Sequence, residues 1–289
     1  MAQRLVSVWQ PFFLGAEDQK AAVDAALELE ELGYSRIWFS AGFGQDVPQR
    51  FRDILDGTER IGVAPGIVSI WHSSPAEVAA FTQDAQQAHP GRFLLGLGAS
   101  HAVLVEGDGD GTRYRKPYSK MVDYLDALDA AGLAPEQRIL AALGPRMLEL
   151  SRDRAAGAHP YFIPAEHTAE ARTALGPDRL LSPEVAVVLD ADPATARATA
   201  RQYTSGYLTL PNYTNNLRRF GWTDDDFADG GSDRLVDAVI PWGTPEQVAA
   251  GIEAHYRAGA DEVAIQVLNG GVNTVFPADA FRDLAAALI

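Results

Sequence analysis

Cysteine is absent from this chain of 289 residues, and lysine occurs at only three positions. The lack of cysteine excludes disulfides, thiolate catalysis and cysteine-ligated metals. No run of about 18 or more apolar residues occurs, so we expect no membrane span. The N-terminal stretch MAQRLVSVWQPFF has neither the apolar segment nor the cleavage site of a signal peptide, which predicts a cytoplasmic protein.

Positive charge is also scarce, and the formal net charge is −15. Nucleic-acid binding depends on lysine and arginine contacts to phosphates, so this composition disfavours a nucleic-acid partner. Several motifs are absent as well. GLGAS is not a GxGxxG fingerprint, and neither a P-loop nor the HExxH zinc motif occurs. HSSP and GASH lack the spacing of a nucleophile elbow, so we expect neither a metal site nor a serine-hydrolase site.

Short, nearly continuous apolar runs alternate with longer amphipathic runs rich in alanine. Continuous apolar runs are typical of strands buried on both faces, as in parallel sheets. Capping boxes that begin at Ser74 and Thr244 indicate helix starts between such runs. Eight strands with intervening helices predict an α/β fold, either a closed (β/α)8 (TIM) barrel, which the count favours, or an open doubly wound sheet. The predicted strands are residues 5–9, 36–40, 62–67, 93–98, 139–143, 158–163, 184–189 and 262–268.

Two connections are long, and neither resembles a linker, so we predict one domain over residues 1–289. The first, residues 101–117, is rich in glycine and charge. The second, about residues 203–243, follows the seventh strand and is too aromatic to be disordered. Its aromatic and amide side chains suit either a lid that binds a flat substrate or a dimer interface. They are Tyr207, Asn212, Tyr213, Asn215, Asn216 and Trp222.

An ordered set of segments along almost the whole chain carries a family resemblance. The segments are GIVSIW, SPAEVA, HPGRFLLGLGASHAVLVEG, KPYSKMVDYLDALDAAG, RILAALGPRMLELSRDRAAGAHPYFIPAEHTAEAR, LPNYTNNLRRFG, GGSDRLVDA and AGADEVAIQVL. Together they resemble the luciferase-like monooxygenase superfamily, and within it the deazaflavin-dependent oxidoreductase branch. The resemblance implies a bacterial-luciferase-like barrel with an insertion, usually homodimeric. It also implies a cofactor, either coenzyme F420, which is a deazaflavin that passes hydrides, or reduced FMN.

The resemblance also implies where a cofactor ring contacts the ends of the predicted strands. Gly66 and Ile67 end the third strand, and similar proteins have a non-proline cis peptide there, behind the middle ring. The alternative is an ordinary glycine at a strand end. At the end of the fourth strand, small residues would let a flat ring approach the backbone. The cofactor positions expected at strand ends are Ser40, Gly66, Ile67, Gly98, Ala99, Ser100 and Ile163.

A phosphate site is predicted where the fifth strand leads into a helix. Leu143, Gly144, Pro145 and Arg146 combine free N–H groups at a helix start with a guanidinium. An ordinary helix that starts with proline is the alternative. A basic cluster in the first long connection would suit an anionic cofactor tail, or it is a solvated loop. The cluster consists of Arg113, Arg115, Lys116 and Lys120.

Histidine is the side chain best suited to proton transfer near neutral pH. His101 directly follows the fourth strand, and we predict that it moves a proton to or from the substrate. His72 follows the third strand and is the nearest competitor, as a substrate-binding residue. No other ionisable side chain adjoins the predicted strand ends. Some relatives carry an acidic or Asp-His element after the second strand, whereas this chain has only Ser40, Ala41, Gly42 and Phe43 there.

Three functions therefore fit the sequence. The favoured one is hydride transfer between coenzyme F420 and a small organic substrate, with His101 handling a proton. The second is a monooxygenase that uses reduced FMN and oxygen. The third is a catalytically lapsed protein that still binds the cofactor, which the missing ionisable group near Ala41 suggests.

Overall fold

The computed structural model describes residues 4–16, 18–41, 47–107, 112–271 and 275–289. Two parts of the sequence predictions lie outside these residues: Gly42 and Phe43 after the second strand, and residues 108–111 of the first long connection. The strands are β1 (Leu5–Trp9), β2 (Arg36–Phe39), β3 (Gly62–Pro65), β4 (Val68–Ser69), β5 (Leu95–Gly98), β6 (Arg138–Leu140), β7 (Gly157–Ala158), β8 (Leu180–Leu181), β9 (Glu184–Val187) and β10 (Glu262–Val267).

Helices connect these strands, and two short 3-10 turns lie at Pro135–Gln137 and Ala228–Gly230. The capping boxes at Ser74 and Thr244 are formed as predicted. The helices are α1 (Phe12–Gly15), α2 (Gln19–Glu31), α3 (Val47–Gly57), α4 (Pro75–Ala88), α5 (Ala102–Glu106), α6 (Pro117–Ala130), α7 (Pro145–Arg154), α8 (Ala165–Leu175), α9 (Pro193–Tyr207), α10 (Pro211–Arg218), α11 (Asp224–Phe227), α12 (Asp233–Val239), α13 (Pro245–Arg257) and α14 (Ala278–Leu288).

The strands form two parallel five-stranded sheets, in the orders β3-β2-β1-β10-β9 and β4-β5-β6-β7-β8. The third barrel strand is divided into β3 and β4, and the seventh into β8 and β9, so each contributes to both sheets. Hydrogen bonds cross between the sheets at both places, from Leu94 N to Val63 O and from Asp261 N to Leu181 O. The eight strand positions thus make the predicted (β/α)8 barrel, whose strands all point the same way.

The observed strands are shorter than the apolar runs that predicted them. Neither Leu143 nor Ile163 ends a strand, because β6 stops at Leu140 and β7 stops at Ala158. The apolar sequence continues past each ladder into turns that pack on the barrel. Phe162 shows this directly, since its φ of 56° is incompatible with a strand while its side chain is buried. The short strand β8 was missed altogether, because only two residues join the ladder.

The insertion after the seventh strand contains α10, α11 and α12 and begins only after α9, which runs through Tyr203 to Tyr207. A separate apolar cluster forms beneath it, including Tyr213, Leu217 and Trp222. The larger cluster fills the space between the barrel and the surrounding helices. Within the described part of the chain, no helix combines the length and the apolar character that a membrane crossing requires.

The barrel interior contains polar groups as well as apolar ones. Glu262 of β10 is completely buried, and its Oε1 accepts hydrogen bonds from Ser7 Oγ at 3.0 Å, Trp38 Nε1 at 3.1 Å and Ser182 Oγ at 2.9 Å. Its other oxygen lies 3.5 Å from Arg36 Nε. One carboxylate therefore connects β1, β2 and the break between β8 and β9.

Candidate active site

The break in the third barrel strand is the first part of the site. The peptide bond between Gly66 and Ile67 is cis, as the sequence analysis predicted. Trp9, at the end of β1, lies against this break, and a Cβ on Gly66 would come within 2.4 Å of the Trp9 indole nitrogen. That nitrogen is buried and has no hydrogen-bond partner among the described residues. A Cβ on Gly98 of β5 would come within 2.7 Å of the Ile67 side chain. A half-buried strand break and an unpartnered N–H donor thus meet at this edge of the barrel.

The backbone after β5 is held in place by three side chains. Trp71 Nε1 donates to Ala99 O at 2.7 Å. The Tyr114 hydroxyl and Asn212 Nδ2 donate to Ser100 O at 3.2 Å and 3.3 Å. Ser100 itself has a φ of 57°, so the chain turns sharply here. Because Asn212 belongs to α10, the insertion contacts the strand end directly.

His101 comes next and is the N-terminal cap of α5, although its side chain makes no capping hydrogen bond. The imidazole is half-buried, and its ring centroid lies 5.0 Å from that of Tyr213. Its Nδ1 is buried without a hydrogen-bond partner in the described residues. Burial lowers the pKa of this imidazole, which favours the neutral form. A neutral imidazole with a free nitrogen can accept or donate one proton.

The second histidine that the sequence analysis singled out is placed differently. His72 lies on the turn after β4, and its side chain is exposed. Its backbone N–H donates to Ser69 O at 3.2 Å. The structure therefore brings His101, but not His72, against the aromatic side chains over the barrel.

Aromatic side chains from α9 and α10 cover the carboxyl ends of the strands. Tyr213 is only 7% exposed, and its ring lies 5.5 Å from that of Phe162. The ring of Tyr207 stacks on that of Phe162 at 5.3 Å and lies 5.3 Å from that of Tyr213. The sequence left open whether these tyrosines form a lid or a dimer interface. Contacts within this chain bury Tyr213 and half-bury Tyr207 over the strand ends, as in a lid, and the dimer interface stays a prediction.

Three tyrosine hydroxyls meet beneath this lid. Tyr161 Oη lies 2.9 Å from both Tyr203 Oη and Tyr207 Oη, and it donates to Gln266 Oε1 at 2.9 Å. Tyr203 Oη also lies 3.3 Å from Gln266 Oε1. Burial raises the pKa of all three hydroxyls above the ordinary value. They are therefore neutral, and each can donate one hydrogen bond while accepting another.

A buried carboxyl group adjoins these hydroxyls. Glu184, the first residue of β9, is 1% exposed. Its Oε1 lies 3.3 Å from Tyr203 Oη, and its Oε2 accepts from Phe162 N at 3.3 Å. Among the described residues, Glu184 takes part in no ion pair. Burial raises the pKa of this carboxyl to about 8. At neutral pH it is a carboxylic acid with one proton to give.

A cavity of about 320 Å³ lies beside the hydroxyls, between the ends of β1 and β10 and helix α9. This volume suits a small organic ligand. Every lining residue is uncharged at neutral pH, so the cavity favours an uncharged ligand. The lining residues are Trp9, Gln10, Pro11, Thr199, Gln202, Tyr203, Tyr207, Gln266, Val267, Leu268, Asn269, Gly270 and Gly271.

A depression of similar size, about 340 Å³, lies between β1, α13 and α14 at the opposite end of the barrel. It is lined by charged residues including Arg4 and Glu253, which pair with each other. Chemistry in such barrels occurs at the carboxyl ends of the strands, so this depression belongs to the stabilising face.

The start of α7 forms the remaining part of the candidate site. Gly144 is the N-terminal cap, and no atom lies within 4 Å of where its Cβ would be. The Arg146 guanidinium is exposed and lies 4.1 Å above the ring of Tyr118, near the start of α6. The predicted basic cluster is exposed on the same side: Arg113, Arg115 and Lys116 precede α6, and Lys120 lies in its first turn. These side chains take part in no ion pair among the described residues. This surface therefore combines a free helix start with positive charge.

Some predicted positions are peripheral to this arrangement. Ser40 is exposed directly after β2, and Ile163 is buried within the turn after β7. Leu143 contributes its carbonyl oxygen, which accepts from His167 Nε2 at 2.8 Å. Of the residues that line the cavity, Tyr207 was predicted from the sequence, whereas Trp9 and the other lining residues were not, and neither was Glu184.

In the sequence Glu184 was counted only as the first residue of the predicted strand 184–189, and no role at the barrel mouth was assigned to it. The expectation that only the histidines are ionisable there is therefore wrong. The usable signal was a single glutamate inside the apolar run LLSPEVAVVL.

Comparison with known proteins agrees with this fold. The family described as luciferase-like monooxygenase matches residues 7–262. A protein of Mycobacterium tuberculosis, provisionally named a coenzyme F420-dependent oxidoreductase, is 22% identical over 275 residues, covering 93% of this chain and 75% of its own.

Two solved structures share the fold along almost the whole chain. An F420-dependent secondary alcohol dehydrogenase, in complex with an F420-acetone adduct, has a TM-score of 0.73 and 13% identity, with 99% of both chains covered. The oxygenating constituent of 3,6-diketocamphane monooxygenase from Pseudomonas putida, in complex with FMN, has a TM-score of 0.66 and 16% identity over 99% of both chains. At these identities the likeness establishes the fold.

Proposed function

The chain belongs to the luciferase-like monooxygenase family, a family of oxidoreductases, and on this premise we propose that it transfers a hydride between coenzyme F420 and a small organic substrate. The provisional name of the Mycobacterium tuberculosis relative and the F420-dependent structural neighbour support this cofactor. The observation that carries the proposal is the barrel mouth, where the strand break at Gly66, an unpartnered Trp9 N–H and an unpartnered His101 nitrogen lie at the carboxyl ends of neighbouring strands.

The residues at the mouth fit a deazaflavin. Gly66, Ile67 and Ala99 are half-buried at the strand ends and offer surface on which a flat ring can lie, and the buried Trp9 N–H lacks a partner that such a ring offers. When bound, the deazaflavin would supply or accept the hydride at this place.

An anionic tail would fit the start of α7. Gly144 leaves the backbone open there, and the free N–H groups of a helix start attract phosphate. Arg146 and the basic cluster of α6 add positive charge in a chain of net charge −15. The missing N–H of Pro145 leaves the other first-turn donors in place.

His101 is the group we propose for proton transfer beside the ring. Its imidazole is half-buried against Tyr213, and lowering of its pKa by burial keeps it neutral and ready to act as a base. Among the described residues directly after β2, Ser40 and Ala41 offer no ionisable group, which supports His101 as the proton-transfer group. Both the homodimer and the cytoplasmic location stay predictions.

Cofactor titration tests the proposal. The purified protein is titrated separately with coenzyme F420 and with FMN, and binding is followed by fluorescence. We expect tight binding of coenzyme F420 and weak binding of FMN. The opposite order would overturn the proposal in favour of an FMN-dependent monooxygenase.

A pair of histidine variants tests the role of His101. Removal of a general acid or base typically costs about 10²–10⁴-fold in rate. We expect His101→Ala to lose roughly that much turnover with little change in cofactor affinity, while the exposed His72→Ala loses far less. Equal turnover of both variants and wild type, on a substrate found by panel screening, would remove His101 from the mechanism.

A further inference from the structure

The site contains a second set of proton-carrying groups besides His101. Glu184, Tyr203, Tyr161 and Tyr207 form a continuous chain of contacts of 3.3, 2.9 and 2.9 Å between Oε1 and the three hydroxyls. Tyr203 and Tyr207 also line the cavity between β1, β10 and α9. The chain thus connects a fully buried carboxyl group to the wall of the cavity.

We propose that Glu184 stores the proton that accompanies hydride transfer, and that the hydroxyls of Tyr203, Tyr161 and Tyr207 carry it to a substrate in this cavity. The proposal rests on the proposed function and adds to it the path of the proton and the charge class of the substrate. Glu184 acts through the tyrosines, so it is a positioning and supply residue that does not touch the substrate.

Burial favours the acid form of Glu184 and outweighs the two donors that face its oxygens, Phe162 N and the Tyr203 hydroxyl. The titratable groups that interact with it are the tyrosines Tyr161, Tyr203, Tyr207 and Tyr213, from the turn after β7 and from α9 and α10. The nearby carboxylate of Glu262 is already bonded to three donors in the barrel interior. A proton on Glu184 Oε1 can be donated to Tyr203, whose own hydroxyl proton then points to Tyr161 or Gln266.

The proton balance of the reaction defines what the chain must do. In the reduction of an uncharged carbonyl compound, hydride adds to the carbon, the C=O π bond breaks, and the oxygen must gain a proton. Reduced deazaflavin would be the reductant: it would supply two electrons with the hydride, and His101 beside the ring would take the proton that the ring loses and pass it to solvent. The proton leaves a tyrosine hydroxyl on the cavity wall, which regains one along the chain from Glu184.

The carboxylate that remains is reprotonated through the same hydroxyls by water that enters the emptied cavity. In the oxidation of an alcohol every one of these steps runs in reverse. The uncharged lining of the cavity agrees with an uncharged substrate in both directions.

Infrared spectroscopy of the cofactor-free protein tests the chain directly. The carbonyl stretch of a protonated carboxyl group lies apart from the amide bands. We expect such a band at pH 7 that disappears as the pH rises through about 8, the pKa to which burial raises Glu184. Glu184→Gln should abolish this band. Glu30→Gln should retain it, because Glu30 lies outside the site and its carboxylate binds backbone N–H groups.

Cyclohexanone and cyclohexanecarboxylate serve as uncharged and anionic probes of the cavity. Cyclohexanone should shift the carboxyl band in the wild type and in Tyr34→Phe, whose hydroxyl bonds to Phe281 O outside the site. In Tyr203→Phe the shift should vanish, because the link from Glu184 to the cavity is lost. Cyclohexanecarboxylate should cause no shift. The absence of the band, or a cyclohexanone shift that survives Tyr203→Phe, would overturn the proposal.

Turnover separates this proposal from the proposed function. Glu184→Gln should lose about 10²–10⁴-fold in rate at pH 7 and show no change of rate across pH 8, where the wild type changes. Wild-type turnover with coenzyme F420 that is unchanged in Glu184→Gln would refute the proton chain alone. A titrating, probe-sensitive carboxyl band without turnover on any substrate would refute the hydride-transfer function alone.

Discussion

Replacement of His159 by phenylalanine should change how the stability of the barrel depends on pH. His159 is 2% exposed, and its ring stacks on that of Trp38 with centroids 4.1 Å apart and planes 1° apart. Its Nδ1 donates to Ser182 O at 2.6 Å. Burial lowers the pKa of this imidazole to about 4.

The direction of the pH dependence follows from how many protons the folded and the unfolded chain bind. Between the ordinary pKa of about 6.5 and the folded value of about 4, the unfolded chain binds a proton that the folded chain does not. Wild-type stability is therefore lost as the pH falls through this window, by about 1.4 kcal/mol per pH unit from this group. Between pH 6.5 and 4.5 the loss amounts to about 2 kcal/mol, because the slope is smaller near either pKa.

His159→Phe keeps the stacked ring but cannot titrate. Loss of the hydrogen bond to Ser182 O should cost about 1–3 kcal/mol at every pH. In urea unfolding followed by circular dichroism, we expect the variant to be less stable than the wild type at pH 7 and to equal or exceed it at pH 4.5. The exposed His72→Gln should run parallel to the wild type. A constant difference between His159→Phe and the wild type from pH 7 to pH 4.5 would refute the reasoning.

Two further predictions concern glycine and a buried carboxylate. A Cβ on Gly157 would lie 1.8 Å from Leu180 O. Gly157→Ala should therefore lower the free energy of unfolding by about 3 kcal/mol or more in the same urea assay. The control Gly144→Ala, where no atom lies within 4 Å of the added Cβ, should change it by less than about 1 kcal/mol. Burial raises the pKa of Glu30, but hydrogen bonds from backbone N–H groups, including Ile61 N at 2.7 Å, outweigh it and lower the pKa overall. The stabilisation that the Glu30 carboxylate gives the fold is therefore present above its ordinary pKa near 4.5 and is lost as the pH falls below it. Glu30→Gln should be about 2 kcal/mol less stable than the wild type at pH 7 in urea unfolding and should not lose this stability in acid.

The sequence allowed the barrel, the position of the insertion and the Gly66–Ile67 cis peptide to be predicted. The pattern of apolar runs carries strand order well, because strands in a parallel barrel are buried on both faces. The same pattern predicts the ends of the strands poorly, because residues in the turns at the barrel mouth, such as Phe162 and Ile163, are buried too. The missed strand β8 has only two residues, Leu180 and Leu181, which leaves too short a pattern to detect.

The candidate site was predictable only in part, for a physical reason. His101 follows a strand end in the sequence, so its place at the mouth could be inferred locally. Glu184 reaches the same region only because Tyr203, far along the chain in α9, folds back over it. The cavity has the same origin, as it forms between β1, β10 and α9, which are distant in sequence. Contacts of this kind are set by the fold as a whole.

The buried carboxylate of Glu262 has a consequence for how the chain assembles. Its three donors come from β1, β2 and the segment before β9. If β1 or β2 paired one residue out of step, its donor side chain would point to the outer face of the barrel. The carboxylate would then be buried without that donor, which is costly in an apolar interior. A barrel with misaligned strands is thus higher in free energy because of this one side chain, and Glu262 favours the correct alignment over competing compact states.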